Sequence, residues 1–279
     1  MSTKRLLGVY AHPDDEGMMG GALLQYSTSG VDTGLVCATR GEVGEIADPA
    51  LATRDNLGEV REGEMRAAAK ALNVRNLWFL DYRDSGMAGT AENADPRAFV
   101  QANEAEVVGK LVKIIREFRP QVIVTFDESG AYGHPDHIAT YRYTTSAFHA
   151  AADAAQYPEL GTAHSVSKLY YSAFPLSAIR AIGEWMRTQN YEGSFSGLDP
   201  EKLGVPDELI SVRLNVEAWQ EQKDRSWSMH RTQLDPNQFM AKIPEEVQRK
   251  WRSHEYYQLA ASRVGPDVEG ENDLFARIH

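Results

Sequence analysis

Residues 5–16, RLLGVYAHPDDE, join a short apolar run to a loop that carries a histidine and three carboxylates. Residues 122–137, VIVTFDESGAYGHPDH, repeat the arrangement with a second apolar run, followed by a loop that ends in two histidines and an aspartate. Open α/β sheets bind ligands at the carboxyl ends of their strands, where two such loops would meet. The two stretches therefore predict a metal site at one edge of a sheet.

The composition narrows the classes of partner. The 279-residue chain has a formal net charge of −11, which argues against a nucleic-acid partner because phosphate binding needs clustered Lys and Arg. Cys37 is the only cysteine, so an internal disulfide and a cysteine-rich zinc cage are excluded. We find neither a secretory apolar region nor a run long enough to span a membrane, and we expect a soluble, cytoplasmic protein without membrane contact.

Short apolar runs alternate with segments of helical period in the first half of the chain. This pattern predicts an α/β fold with a Rossmann-like, largely parallel sheet flanked by helices. The predicted strands are Arg5 to Tyr10, Thr33 to Thr39, Asn76 to Leu80 and Gln121 to Phe126, and the predicted helices are Gly20 to Ser29, Asn56 to Leu72 and Ala105 to Phe118. No G-x-G-x-x-G follows the first strand, so we do not expect a nicotinamide or flavin cofactor.

The second half is predicted to add a cap. Lys168 to Ala173 is a fifth strand candidate, and a loop-rich passage with Gly193 and Gly197 follows it. We expect a further strand at Leu209 to Val216 and helices at Glu217 to Arg231, Pro244 to Trp251 and Glu255 to Ser262. A boundary near residue 165 would divide a metal-binding catalytic core, residues 1–165, from a C-terminal cap, residues 166–279, that completes the substrate pocket.

His12, Asp15 and His137 are the candidate metal ligands. A hydrolytic zinc site commonly has three protein ligands and leaves one position for a water molecule that the metal acidifies. Ordinary structural roles are the alternative, because His-Pro-Asp is common in turns, Asp14 or Asp15 could cap a helix, and His137 could be a core histidine. The occurrence of both motifs after strands of one predicted sheet favours the metal site.

The elements AHPDDE, residues 11–16, and GHPDH, residues 133–137, resemble the two signatures of the LmbE/PIG-L-like family of zinc-dependent N-acetylglucosaminyl deacetylases. The similarity covers Arg5 to about Ser146 and includes TRGEVGE at residues 39–45, REGE at residues 61–64 and RDSGM at residues 83–87. Within the family, the set is most similar to the deacetylase of mycothiol biosynthesis and to the mycothiol S-conjugate amidase.

The resemblance implies roles for individual residues. It makes His12, Asp15 and His137 the ligands of Zn²⁺, although the donor set also suits Fe²⁺. It makes Asp14 the general base. The remaining implied roles are polarisation of the amide carbonyl by Tyr132, stabilisation or protonation at the tetrahedral intermediate by His134, orientation of a histidine by Asp136, and sugar contacts by Arg61, Asp84 and Glu42.

The resemblance therefore implies a hydrolase in which metal-activated water removes the acetyl group from a small-molecule aminosugar of the N-acetylglucosamine type. Two alternatives stay open: an amidase that cleaves a thiol S-conjugate of the mycothiol type, and a sugar-binding relative without catalysis. His230 lies in SMHRTQ, residues 228–233, which is similar to the family's H-x-T-Q element. Without that similarity we would place His230 on a solvated helix face. The sequence leaves the oligomeric state undecided.

Overall fold

The computed structural model describes residues 3–189, 199–234, 243–265 and 271–279. Seven strands form one sheet in the order β3-β2-β1-β4-β5-β7-β6, and β7 runs antiparallel to both of its neighbours. In chain order the strands are β1 (Arg5–Tyr10), β2 (Asp32–Thr39), β3 (Asn76–Tyr82), β4 (Val122–Thr125), β5 (Lys168–Ala173), β6 (Val212–Asn215) and β7 (His254–Ser262). The order of the first five strands is that of a Rossmann-like sheet.

The sheet has helices on both faces. The helices in the described ranges are α1 (Gly20–Thr28), α2 (Leu57–Ala71), α3 (Glu104–Phe118), the single kinked turn α4 (Gly130–Gly133), α5 (Pro135–Ala152), α6 (Leu176–Thr188), α7 (Pro200–Leu203), α8 (Gln220–Trp227) and α9 (Glu245–Trp251). Alternate residues of β1 point to opposite faces: Leu6 and Tyr10 pack with α1 and α2, and Leu7 and Val9 pack with α3 and α5. Because alternate side chains of a buried strand point to opposite faces of the sheet, helices pack on both faces and the fold has three layers.

β1 lies at the point where the strand order reverses, between β2 and β4. A crevice opens beyond the carboxyl ends of the strands at such a switch point, and open α/β sheets bind their ligands there. The loops after β1 and β4 carry the two histidine motifs, so the topology brings the motifs to the same crevice.

The predicted α/β class is confirmed, and β1 to β5 and α1 to α3 lie within two residues of their predicted ends. The predicted helix Glu255 to Ser262 is wrong. These residues form most of β7, which pairs with β5 and β6. Glu255 and Tyr257 are buried while Tyr256 and Gln258 are half-buried, a period of two that the helix-forming composition of Leu259 to Ala261 obscured.

Two later elements are shorter than predicted, whereas the helix predicted at Pro244 to Trp251 is confirmed as α9. The strand at Leu209 to Val216 is β6 alone, and Glu217 to Arg231 contains a 3₁₀ turn at Glu217–Trp219 and then α8. The boundary near residue 165 falls just before β5, within one continuous sheet. Gly193 and Gly197 lie outside the described residues. Among the helices that the structure describes, none has the length and apolar character needed to cross a bilayer.

Candidate metal centre

Four potential donor atoms from three side chains converge in the crevice. His12 follows β1, Asp15 begins the 3₁₀ turn after it, and His137 lies in the first turn of α5. His12 Nδ1 is 3.2 Å from His137 Nε2 and 3.4 Å from Asp15 Oδ2, and His137 Nε2 is 3.4 Å from Asp15 Oδ1. Ligands about 2.0–2.1 Å from a tetrahedral zinc are about 3.3 Å apart. The two histidine nitrogens therefore have the spacing expected in a zinc coordination tetrahedron, and Asp15 presents a different carboxylate oxygen to each of them.

The second nitrogen of each candidate ligand histidine has its own partner. His137 Nδ1 lies 3.1 Å from the carbonyl oxygen of Gly130, and His12 Nε2 lies 3.2 Å from Asp136 Oδ2. A carbonyl or a carboxylate accepts an N–H at these positions, which leaves His12 Nδ1 and His137 Nε2, 3.2 Å apart, either to share a proton or to bind a metal ion. Metal-ligating histidines are commonly oriented in this way.

Carboxylates surround His12. Asp136 Oδ2 also accepts the N–H of Ser85, and Asp84 Oδ1 lies 3.6 Å from His12 Nε2. Burial lowers the pKa of His12, but Asp136, Asp15 and Asp84 outweigh burial and raise it well above its ordinary value. Asp136 is fully buried, and its Oδ1 has no hydrogen-bond partner in the described part of the chain. This negative surplus suits a divalent cation, whose binding would displace a proton from the site.

Asp14 has a left-handed backbone, with φ of 106°, and its carboxylate is paired with Arg61. Arg61 Nη2 donates to Asp14 Oδ2 at 3.0 Å and to the carbonyl oxygen of Pro13, and Nη1 donates to the carbonyl oxygen of Gly41 at 3.0 Å. Burial raises the pKa of Asp14 to about 6, even though Arg61 favours the charged form. A carboxylate with such a pKa is suited to proton transfer near neutral pH.

His134 and Tyr132 flank the ligands. His134 Nδ1 accepts the N–H of Asp136 and thereby caps α5, so the neutral ring carries its proton on Nε2. Burial, followed by the nearby His12, lowers the pKa of His134 and favours this neutral form. Ring nitrogens of His12, His134 and His137 lie within 4.8 Å of one another. The half-exposed Tyr132 has its ring 5.0 Å from that of His137.

The residues with implied sugar contacts hold the loops together. Glu42 accepts the backbone N–H of Asp84, and Asp84 accepts those of Val43 and Gly86. Arg61 is 3% exposed and is occupied by the loop that carries Asp14. Of the three, Glu42 also lines a polar cavity of about 300 Å³, together with Arg40, Arg54 and Arg83.

His230 and Thr232 make a second set of buried contacts. His230 is fully buried, so placing it on a solvated helix face is wrong. Its Nε2 donates to Glu16 Oε1 at 2.6 Å, while the other oxygen of Glu16 accepts the backbone N–H of Asp14 at 2.9 Å. Nearby, Thr232 donates its hydroxyl and its N–H to Glu64 on α2. The similarity of SMHRTQ to a family element was the only available signal for these contacts.

Comparison of this sequence with known proteins identifies its relatives. The model of the family PIG-L, GlcNAc-PI de-N-acetylase, matches residues 7–148. A curated relative from Geodermatophilus obscurus, 1D-myo-inositol 2-acetamido-2-deoxy-alpha-D-glucopyranoside deacetylase, is 40% identical and aligns over 99% of this chain and 98% of its own length.

Two solved structures share the fold at low sequence identity. N,N'-diacetylchitobiose deacetylase from Pyrococcus horikoshii superposes with a TM-score of 0.61 at 20% identity, over 92% of this chain and 84% of that one. The 4-carboxy-2-hydroxymuconate hydratase from Pseudomonas putida reaches a TM-score of 0.62 at 16% identity, over 95% of this chain and all of that one. A deacetylase and a hydratase on one fold mean that the fold alone does not set the chemistry. The family match and the full-length relative do identify the lineage: this chain belongs to the PIG-L family of de-N-acetylases.

Proposed function

We propose that the protein is a zinc-dependent deacetylase that removes the acetyl group from the glucosamine unit of a 1D-myo-inositol glucosaminide. Membership of the family makes it a hydrolase of an N-acetyl amide bond. The observation that carries the zinc assignment is the 3.2 Å separation of His12 Nδ1 and His137 Nε2, each of which has a different oxygen of the Asp15 carboxylate at 3.4 Å. Fe²⁺ is the other ion that this donor set could accept.

The residues around the three proposed metal ligands have different roles in the reaction. A bound zinc ion would polarise the acetyl carbonyl and acidify the attacking water. Asp14 accepts the proton of that water and passes it to the leaving amine, and Arg61 keeps its carboxylate in place. His134 donates its Nε2 proton towards the carbonyl oxygen as negative charge develops, and the half-exposed Tyr132 polarises the same carbonyl.

The substrate assignment rests on the name of the relative and on the polar cavity beside the crevice. An inositol ring offers only hydroxyl groups, which are recognised by paired hydrogen bonds from arginines and carboxylates. Arg40, Glu42, Arg54 and Arg83 line a cavity of that character, and Glu42 connects it to Asp84 beside His12. We therefore assign the cavity to the inositol side of the substrate.

The test measures amine release by chelator-stripped protein, with and without added Zn²⁺ or Fe²⁺, alongside metal content. The substrates are the acetylated inositol glucosaminide, free N-acetylglucosamine and a thiol S-conjugate of the mycothiol type. We expect activity to return at about one zinc per chain and kcat/KM to be highest for the inositol glucosaminide. Preference for the S-conjugate would make the protein an amidase, and metal binding without amine release would make it a sugar-binding relative.

Asp14→Asn is the matched variant. It should keep the metal content of the wild type, because Asp14 is not one of the three donors, and lose most of kcat. Normal turnover in this variant would remove Asp14 from the role of base.

A further inference from the structure

Three consecutive acidic residues lie in the loop after β1, and each has a different basic partner. Asp14 pairs with Arg61 from α2, and Asp15 lies beside His12 and His137. Glu16 is 1% exposed and pairs with His230, more than 200 residues further along the chain. Three acids in one buried loop repel each other unless each is compensated.

Glu16 connects His230 to the backbone of Asp14. One carboxylate oxygen accepts the Nε2 proton of His230 at 2.6 Å, and the other accepts the Asp14 N–H at 2.9 Å. With both oxygens engaged, the carboxylate cannot rotate without breaking a bond. The Asp14 N–H is therefore fixed by a side chain whose own position depends on His230.

The backbone of Asp14 needs such support. A φ of 106° is uncommon for any residue other than glycine and persists only where the surroundings fix it. Arg61 fixes the Asp14 carboxylate and the preceding carbonyl, while Glu16 fixes the N–H. Relaxation of the turn would swing the Asp14 side chain away from the crevice.

We infer that His230 is a positioning residue for Asp14, acting through Glu16, so that the C-terminal segment sets the geometry of the base. The inference rests on the proposed role of Asp14. Asp14 and Glu16 adjoin the proposed metal ligand Asp15, whereas the hydrogen bond of His230 to the loop is made with Glu16; the charges of His230 and Asp14 also interact directly.

Removal and partial restoration of the His230 bond form the first test. His230→Phe keeps a ring in the buried slot but loses the donor, and His230→Gln retains an N–H that can reach Glu16. With zinc saturating, we expect kcat of His230→Phe to fall about 10- to 100-fold with KM nearly unchanged, and His230→Gln to recover a large part of the loss. Thr232→Val is the control, because Thr232 belongs to the same segment but bonds to Glu64 instead. Its kcat should stay close to that of the wild type.

A double variant separates a relay from independent damage. Glu16→Gln combined with His230→Phe should lose no more kcat than the worse single variant, because both changes break one connection. Multiplicative losses would overturn the inference. Equal losses in Thr232→Val and His230→Phe would overturn it as well, since packing of the segment would then explain both.

Amide hydrogen exchange supplies a readout that is independent of turnover. In the metal-free chain, exchange of the Asp14 N–H should be about tenfold faster in His230→Phe than in the wild type, while amides of β1 keep their rates. Unchanged exchange with unchanged kcat, while Asp14→Asn is inactive, would refute the inference and leave the proposed function intact. Activity in Asp14→Asn would instead remove the proposed base itself.

Discussion

Replacement of Arg61 by Met distinguishes a residue that binds sugar from one that holds the base. The change removes three hydrogen bonds at once, to the carbonyl oxygens of Gly41 and Pro13 and to the Asp14 carboxylate. Breaking a buried ion pair on one side costs about 3–5 kcal/mol because the remaining charge is left without compensation. The Asp14 side chain is 23% exposed, so water solvates the unpaired carboxylate and reduces the loss of stability. We therefore expect a loss of about 3 kcal/mol, the lower end of that range.

The assay combines denaturant unfolding with steady-state kinetics at saturating zinc. Arg61→Met should lower the free energy of unfolding and lower kcat by more than it raises KM, because it displaces Asp14, the proposed base. Arg66→Met, on the same helix, is the control: Arg66 is 57% exposed and pairs with Glu62, so its loss should cost less than about 1 kcal/mol. A normal stability and kcat with a strongly raised KM in Arg61→Met would refute this reasoning and assign Arg61 to the sugar.

Three further predictions concern the support of the site and the fold. Gly41→Ala should lower kcat, because the added Cβ would lie 2.1 Å from Arg61 Nη1 and the φ of 66° at this position disfavours side chains. Gly63→Ala should instead stabilise α2 by about 0.5–1 kcal/mol, because nothing lies within 4 Å of the added Cβ. Kinetics and denaturant unfolding of both variants test this prediction. Glu255→Ala should cost about 3–5 kcal/mol, measured by denaturant unfolding, because Glu255 accepts from Gly21 and Ala22 at the start of α1 and pairs with the buried Lys223. Burial lowers the pKa of His164, although its bond to the Pro120 carbonyl opposes the shift; the unfolded chain therefore binds more protons, and stability should fall as pH drops below about 6.5. His164→Gln should flatten that part of the stability profile, and an unchanged profile would contradict the assignment.

Local patterns in the sequence predict the part of the fold that forms from neighbours in the chain. Strands β1 to β5 are apolar runs bounded by turn residues, and both histidine motifs directly follow such runs, so their meeting at one edge follows from parallel topology. The sequence predicts a helix at Glu255 to Ser262 because Leu259 to Ala261 suit a helix, whereas the identity of β7 depends on pairing with strands far away in the sequence. The burial of His230 and Arg61 is hard to predict for the same reason. Each is a polar residue on or near a helix, and its burial against the loop after β1 does not follow from the residues next to it in the sequence.

The position of β7 has a consequence for how the chain is made. β7 lies between β5 and β6, so β6 cannot join the sheet until the last strand has been synthesised. During synthesis the first five strands can associate while β5 still exposes a row of unpaired backbone groups, an edge that invites pairing with other chains. Glu255, at the start of β7, then accepts the backbone N–H groups of Gly21 and Ala22 in the first turn of α1. We therefore expect nascent chains stalled before residue 254 to be cut by protease near β5, and chains that include β7 to resist, so that the crevice becomes rigid only after β7 has paired with β5.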